Sequence, residues 1–366
     1  KAPQGLNSVE SVVLACLLRA PGASSAMVAD RAGRLAEEMS LSLSDAEIQE
    51  SVQKALSGKH FIKPASDDAP FVAKTLLSEI SEPKVQSTLD GEIQRFAAET
   101  LSEQILSIHS QNVQDGAVLV VCNRTGEVLA YVGNTGESSS AKYVDGVRSL
   151  RQAGSTLKPF LYGLAIDRRL LTASSLLEDS PLEIPVQGGL YRPRNYDQQF
   201  AGIVTAREAL ASSLNVPAVK VLQMVGVDLF LNELQALGFD SLNESSNFYG
   251  PSLALGSADI TLWNLVNAYR TLANGGVRSG MRMSNDISSV PSRRVLSRQT
   301  AFILSSILSD RESRSHTFGL ENPIATRFWT AVKTGTSKDM RDNWYVGYSS
   351  EYTVKVWVGN FSEESM

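Results

Sequence analysis

Ser155-Thr156-Leu157-Lys158 is the stretch on which the reading of the chain turns. It opens an apolar run that predicts a helix from about Ser155 to Ile166. Positions three apart share a helix face, so the hydroxyl and the amine are expected to touch. A serine hydroxyl is a weak nucleophile until a neighbouring base takes its proton. A lysine serves as that base only when burial or a nearby positive charge lowers its pKa. The tetrad therefore predicts a buried, positively charged cleft completed by residues distant in sequence. Alone it predicts little more, because Ser-x-x-Lys recurs by chance in chains of this length.

Two later stretches supply the missing groups. Ser213-Leu214-Asn215 follows a helical stretch and precedes Val216-Pro217, and Lys333-Thr334-Gly335-Thr336 follows the apolar pair Ala331-Val332. Isolated, Asn215 reads better as a helix cap and Lys333-Thr334-Gly335 as an ordinary turn. The ordered set reverses both readings. Ser-x-x-Lys, then Ser-x-Asn, then Lys-Thr-Gly is the signature of the penicilloyl-serine transferases, which this chain resembles.

The 366 residues are 43% hydrophobic and 20% charged, an ordinary soluble globular balance. The length suggests two domains, or one large domain with appendages. A net charge of −5 argues against nucleic acid as the main partner. No apolar run reaches the length of a membrane helix; Val12 to Leu18 and Ala117 to Val121 read as short core segments. The chain begins with Lys and shows no signal peptide, so an excised or processed fragment is expected, with any anchor outside it. Cys16 and Cys122 fit neither a zinc motif nor a redox pair and read as buried structural cysteines. His60, His109 and His316 lack metal-ligand spacing and default to surface or loop roles; no metal and no cofactor are expected.

Residues 6 to 39 read as two helices, the first opened by Asn7 and Glu10 at capping-box spacing and broken at Pro21-Gly22. A third, opened by Ser44 and Glu47, runs to about Leu56. Residues 57 to 70 read as a linker through Gly58, Pro64, Ser66, Asp67, Asp68 and Pro70. Val85 to Leu89 reads as a strand, followed by a helix behind Asp90 that carries Ile93, Phe96, Ala97, Leu101, Ile105 and Ile108. Ala117 to Cys122 and Glu127 to Val132 read as a hairpin across Asn123-Arg124-Thr125-Gly126. Residues 133 to 149 read as a surface loop and 178 to 204 as an irregular region. Thr205 and Glu208 cap the helix that delivers Ser213, and Thr261 to Asn274 reads as a buried helix stopped by Gly275-Gly276. Trp329 to Thr334, Trp344 to Ser350 and Tyr352 to Gly359 complete the strands. The fold class expected is α+β, an antiparallel sheet of about five strands flanked by helices.

The resemblance extends beyond the motifs. Gly154 to Phe160, Tyr191-Arg192-Pro193-Arg194-Asn195-Tyr196, Ala209 to Ala218, Leu253 to Gly256, Ala273 to Gly276, Lys333 to Ser337 and Arg341-Asp342-Asn343-Trp344 look like the transpeptidase domain of class A penicillin-binding proteins, especially the 1C-like branch. It implies the penicillin-binding transpeptidase or β-lactamase-like fold. It also implies three segments: residues 1–40 as the helical remnant of a preceding glycosyltransferase domain, 41–84 as a linker region and 85–366 as the transpeptidase domain. Carried over, Ser155 attacks the carbonyl between two terminal D-alanines of a cell-wall stem peptide. An amine from a neighbouring strand then resolves the ester into a cross-link. Lys158 takes the Ser155 proton, Lys333 lowers the pKa of Lys158, and Ser213 relays a proton to the leaving amine; the resemblance leaves the base open between the two lysines. Asn215 holds the substrate amide, and Lys333, Thr334 and Thr336 receive its carboxylate. Gly335 lets the substrate backbone approach, and the N–H groups of Ser155 and Thr336 form the oxyanion hole. The partners implied are stem peptides and β-lactam antibiotics. The location implied is the periplasmic side of a bacterial inner membrane, reached only through an anchor outside this chain.

Three alternatives accompany this reading. A β-lactamase shares fold and acylation, but the Glu-x-x-Leu-Asn stretch of class A enzymes is not found here, and Leu214 stands where those enzymes usually carry Asp. A D,D-carboxypeptidase uses water in place of the amine. A penicilloyl-binding sensor or silent scaffold would show no turnover, although every motif position holds a reactive type. Trp344 and Tyr345 read as sheet core, and Tyr196 as structural with cleft lining as its alternative.

Overall fold

The computed structural model describes residues 6–57, 68–80, 84–186, 189–285 and 291–366. The chain divides into two compact units, Lys1–Asp67 and Asp68–Met366. His60 and most of the expected linker lie outside the described residues.

The first unit is three helices, α1 (Ser8–Arg19), α2 (Ser25–Glu38) and α3 (Asp45–Leu56). Asn7 with Glu10 and Ser44 with Glu47 form capping boxes, and Ser24 caps α2. Each box satisfies N–H groups that have no partner inside the helix. Val12, Val13 and Cys16 meet Val28, Ala32 and Ala36 and, from α3, Ile48 and Val52 in one small core. The four-residue spacing on α2 keeps its contacts on a single face.

The second unit is built on a five-stranded antiparallel sheet of β1 (Asp115–Cys122), β2 (Val128–Val132), β3 (Ala331–Thr336), β4 (Asp342–Tyr348) and β5 (Tyr352–Gly359), in the order β3-β4-β5-β1-β2. The first strand pairs with the last, Val118 opposite Val356, so the ends of this unit close on each other. Both faces of β1 are covered, which is why its sequence is a continuous apolar run. On one face Val118 and Val120 pack under Ala97, Leu101 and Ile105 of α5 (Gly91–Ile108). On the other, Leu119 and Val121 pack with Trp344, Trp357, Leu262 and Val266. The remaining helices include α6 (Lys158–Asp167), α7 (Ala206–Ala211), α8 (Asn215–Val225), α9 (Leu262–Ala273) and α10 (Arg298–Ser309). Phe160 of α6 meets Phe239 and Tyr269 edge to face at centroid distances of 6.1 and 5.2 Å, near the centre of the largest apolar cluster. Among the described residues no helix is long and apolar enough to cross a membrane.

Three expectations need correcting. Val85 to Leu89 is not a strand: Ser87 makes one isolated bridge to Ser284, while the Thr88 hydroxyl donates to Val128 O before the chain turns into α5 at Asp90. The segment 41–84 holds the expected third helix, α3, and also a helix that was not expected, α4 (Pro70–Glu79). Pro70 read as a breaker, yet it stands at the first turn, where proline's missing N–H does no harm. Val72 and Leu76 of α4 join the core under the sheet. The region 178–204 is more regular than its composition suggests: Leu176–Asp179 pairs with Gly202–Thr205, and Ile184–Val186 with Gly189–Tyr191.

Candidate active site

Ser155 sits on a single 3₁₀ turn, Gly154–Leu157, that leads into α6. The turn is wedged between β3 and the segment ending at Gly256. Ala153 N donates to Ala258 O at 3.0 Å and Gly154 N to Gly256 O at 3.1 Å. Gly154 has φ +54°, and a Cβ there would lie 2.5 Å from Thr336 O. A Cβ on Gly335 would lie 2.6 Å from Thr156 Cγ2 and 3.0 Å from Ala153 O. A side chain at Gly335 would thus collide with the protein's own Ser155 turn. The Tyr269 hydroxyl donates to Thr156 O at 2.8 Å and fixes the turn from the helical side.

Ser213 and Asn215 stand at the joint between α7 and α8. The expected Thr205–Glu208 capping box opens α7. Its end is a Schellman closure: Leu214 N donates to Ala209 O at 2.9 Å, and Ser213 N to Leu210 O at 3.1 Å. The left-handed slot of that closure favours glycine, yet here it holds Ser213, with φ +60°. Asn215 is the first residue of α8 rather than its cap, because Leu214 holds the cap position and makes no side-chain cap bond.

Both lysines converge on Ser213. Lys158, fully buried, donates to Ser213 O at 2.6 Å, Leu214 O at 3.0 Å and Asn215 Oδ1 at 2.7 Å. Lys333, 3% exposed, donates to Ser213 Oγ at 2.7 Å and to Thr334 O at 2.7 Å. The contact expected between Lys158 and Ser155 is not among these bonds. Two carbonyls and an amide oxygen match the three donors of an ammonium and hold the amine on the Ser213 loop. Burial lowers the pKa of Lys158 well below its ordinary value, and the charge of Lys333 lowers it further. Burial pulls Lys333 from 10.5 to about 7. Asn215 uses both ends of its amide inside the protein, since Nδ2 donates to Arg194 O at 2.7 Å.

Ser155, Ser213, Asn215, Thr334, Gly335 and Thr336 line one cleft of about 1070 Å³, and the lysine amines lie beneath it. β3 is an edge strand, so its outer backbone groups are free of a sheet neighbour. Tyr196, read as structural, is 79% exposed and lines the cleft, its hydroxyl 3.8 Å from Met340 Sδ. Trp344 is buried as expected and donates from Nε1 to Gln152 O at 2.7 Å, but one edge reaches the cleft, as does the half-buried Tyr345. The grip of Arg194 and Asn195 on Asn215 was not read from the sequence. Only their place in the quoted stretch Tyr191 to Tyr196 hinted at it, because a backbone carbonyl leaves no residue signal. Among the described residues no cluster of three or more His, Cys, Asp or Glu could hold a metal.

The family model described as penicillin binding protein transpeptidase domain matches residues 116–363. The chain is 30% identical to penicillin-binding protein 1C of Escherichia coli K12 across 98% of its own length and 46% of the relative's. It is 26% identical to penicillin-binding protein 1A of Neisseria cinerea, covering 87% of this chain and 44% of that one. The chain thus spans less than half the length of these relatives. Its fold superposes on penicillin-binding protein 1A of Haemophilus influenzae with a TM-score of 0.72 at 18% identity, covering 99% of this chain and 77% of the other. PonA1 of Mycobacterium tuberculosis in complex with penicillin V gives 0.63 at 20%, covering 81% and 84%. With the motif segments gathered at one cleft, and family similarity across most of the sequence, the chain belongs to the penicillin-binding protein transpeptidase family.

Proposed function

We propose that this domain is a serine-type D,D-transpeptidase that cross-links peptidoglycan stem peptides through an ester on Ser155. The observation that carries the reading is the convergence of Lys158 and Lys333 on Ser213 beneath a cleft that Ser155 lines. Ser155 Oγ attacks the carbonyl between the two terminal D-alanines. Its proton passes to a neutral Lys158, for which burial and the charge of Lys333 provide. The Ser213 hydroxyl gives its proton to the amine of the departing D-alanine and takes one from the Lys333 ammonium bonded to it; the acceptor amine later returns a proton to Lys333 by the same route as Lys158 reprotonates Ser155. The N–H groups of Ser155 and Thr336 stabilise the oxyanion, by about 3 kcal/mol per donor. A charged Lys333 with Thr334 and Thr336 receives the substrate carboxylate, and the peptide lies along the free edge of β3. An amine then attacks the ester and releases Ser155. β-Lactams acylate the same serine and leave slowly.

We also infer a periplasmic location with an anchor in the parent protein. Residues 1–40 are read as the tail of a glycosyltransferase domain, a reading supported by the alignment with penicillin-binding protein 1C, which runs through the helical unit.

Fluorescent penicillin tests the reading. Lasting label on the wild type and none on Ser155→Ala is the expected result. Rapid loss of label identifies a β-lactamase, and no label a scaffold. With a D-Ala-D-Ala peptide, release of D-alanine without a cross-linked product identifies a carboxypeptidase.

A further inference from the structure

We propose that Asn195, oriented by the buried carboxylate of Asp179, is the positioning residue that keeps the Asn215 side chain on Lys158. This rests on the reading of Ser155, Lys158 and Asn215 as the reaction centre.

Asn195 is 5% exposed, and its amide makes four hydrogen bonds. Nδ2 donates to Asp179 Oδ2 at 2.7 Å and to Gln199 O at 2.8 Å. Oδ1 accepts from Asn215 N at 2.8 Å and from Val216 N at 3.4 Å. Those two N–H groups open α8, where the chain's own cap position, Leu214, has no side-chain acceptor. Asn195 therefore caps α8 from twenty positions upstream.

The orientation of the chain of amides follows from donor and acceptor types. A carboxylate and a carbonyl only accept, so the NH₂ of Asn195 must face Asp179 and Gln199, and its oxygen must face α8. The neighbouring carbonyl, Arg194 O, takes the NH₂ of Asn215 at 2.7 Å. That leaves Asn215 Oδ1 as the end turned to Lys158, at 2.7 Å. Flipped, Asn215 would set an NH₂ against an ammonium. Two adjacent residues thus hold Asn215 by backbone and by side chain. Asp179 is itself fully buried, with Ala201 N as a second donor at 2.8 Å. Asn195 also lines the cleft, but its amide is taken up by these four bonds and none goes to Ser155, so its effect reaches the chemistry through Asn215 and Lys158.

The test compares the rate of acylation by fluorescent penicillin, as a function of pH, for the wild type, Asn195→Ala, Asn215→Ala and the double variant of the full chain. Thermal melting confirms that each is folded. Asn195→Ala is expected to acylate about tenfold more slowly at pH 7. Lys158 loses an acceptor for its ammonium, so the acid limb of the profile moves to lower pH, as it does in Asn215→Ala. The double variant is expected to be no slower than Asn215→Ala. Multiplying defects, or an acid limb that does not move, would mean that Asn195 only supports the fold and would overturn the proposal. Should Asn195→Ala fail to fold, Asn195→Asp sets two carboxylates together and Asp179→Asn in the same chain separates them. Recovery of acylation in that pair supports the proposal, and its absence in a folded pair sinks it. Absence of label on the wild type instead defeats the underlying reading, and the inference with it.

Discussion

Lys333 is 3% exposed and burial holds it near pH 7, so at neutral pH it stands between an ammonium and an amine. Two predictions follow from that one side chain. Between about 7 and its ordinary 10.5, the unfolded chain binds a proton that the folded chain has shed, so stability rises with pH across that window. Below it the full penalty of a buried ammonium is present. Lys333→Met is therefore expected to be more stable at pH 6 by about 2 kcal/mol, once the lost bonds to Ser213 and Thr334 are offset, with a raised melting temperature and no acylation. The advantage shrinks towards pH 10; a constant difference between the two melting curves would contradict it. The second prediction concerns rate. In the proposed mechanism, deprotonating Lys333 removes the charge beside Lys158 and the partner of the substrate carboxylate, so kcat/KM for acylation should fall as pH rises through about 7. A profile still rising at pH 9 would reassign the roles of the two lysines.

At the scale of elements, the 3₁₀ turn of Ser155 is locked between β3 and Gly256 with no room for a methyl group at Gly154 or Gly335. Gly154→Ala combines a left-handed backbone with a collision against Thr336 O, and about 2–4 kcal/mol of stability should be lost, together with most penicillin labelling. Gly136→Ala is the control: φ is +65°, but nothing lies within 4 Å, so the loss should stay near 1 kcal/mol and labelling should persist. Equal losses in the two variants would show that backbone conformation, and not wedging, sets the turn. The elements themselves were largely legible. The capping boxes at Asn7, Ser44 and Thr205 and the five strands follow from local spacing, and each is observed within a few residues of its expected bounds. Val85 to Leu89 misled because a β-rich pentapeptide becomes a strand only if an open edge accepts its whole ladder, and here just Ser87 bridges to Ser284.

For the whole molecule, the compact units divide at Asp67/Asp68, and Val72 and Leu76 of α4 are buried under the sheet of the second unit. A fragment of residues 68–366 is expected to fold and to bind fluorescent penicillin within about twofold of the full chain. A fragment of 85–366 exposes the pocket those two side chains fill and should be less stable by about 3–6 kcal/mol, at roughly 1.5–3 kcal/mol per buried aliphatic side chain. Chemical denaturation of the two fragments measures the difference, and matching midpoints would return α4 to the status of a linker.

Sequence alone determined the family, the α+β class and the sheet strands, and it singled out Ser155, Lys158, Ser213, Asn215 and Lys333 as candidates. Those features are written in residue types at short spacing, where propensity, capping and motif order act directly. Which atoms meet was decided only by the tertiary structure. Lys158 bonds the Ser213 loop rather than its near neighbour Ser155, Gly335 accommodates Thr156, and Asp179 and Asn195 reach Asn215 across the fold. These contacts join segments far apart in the chain, and burial, which lowers both lysine pKa values, is a property of the packed molecule that no single stretch carries.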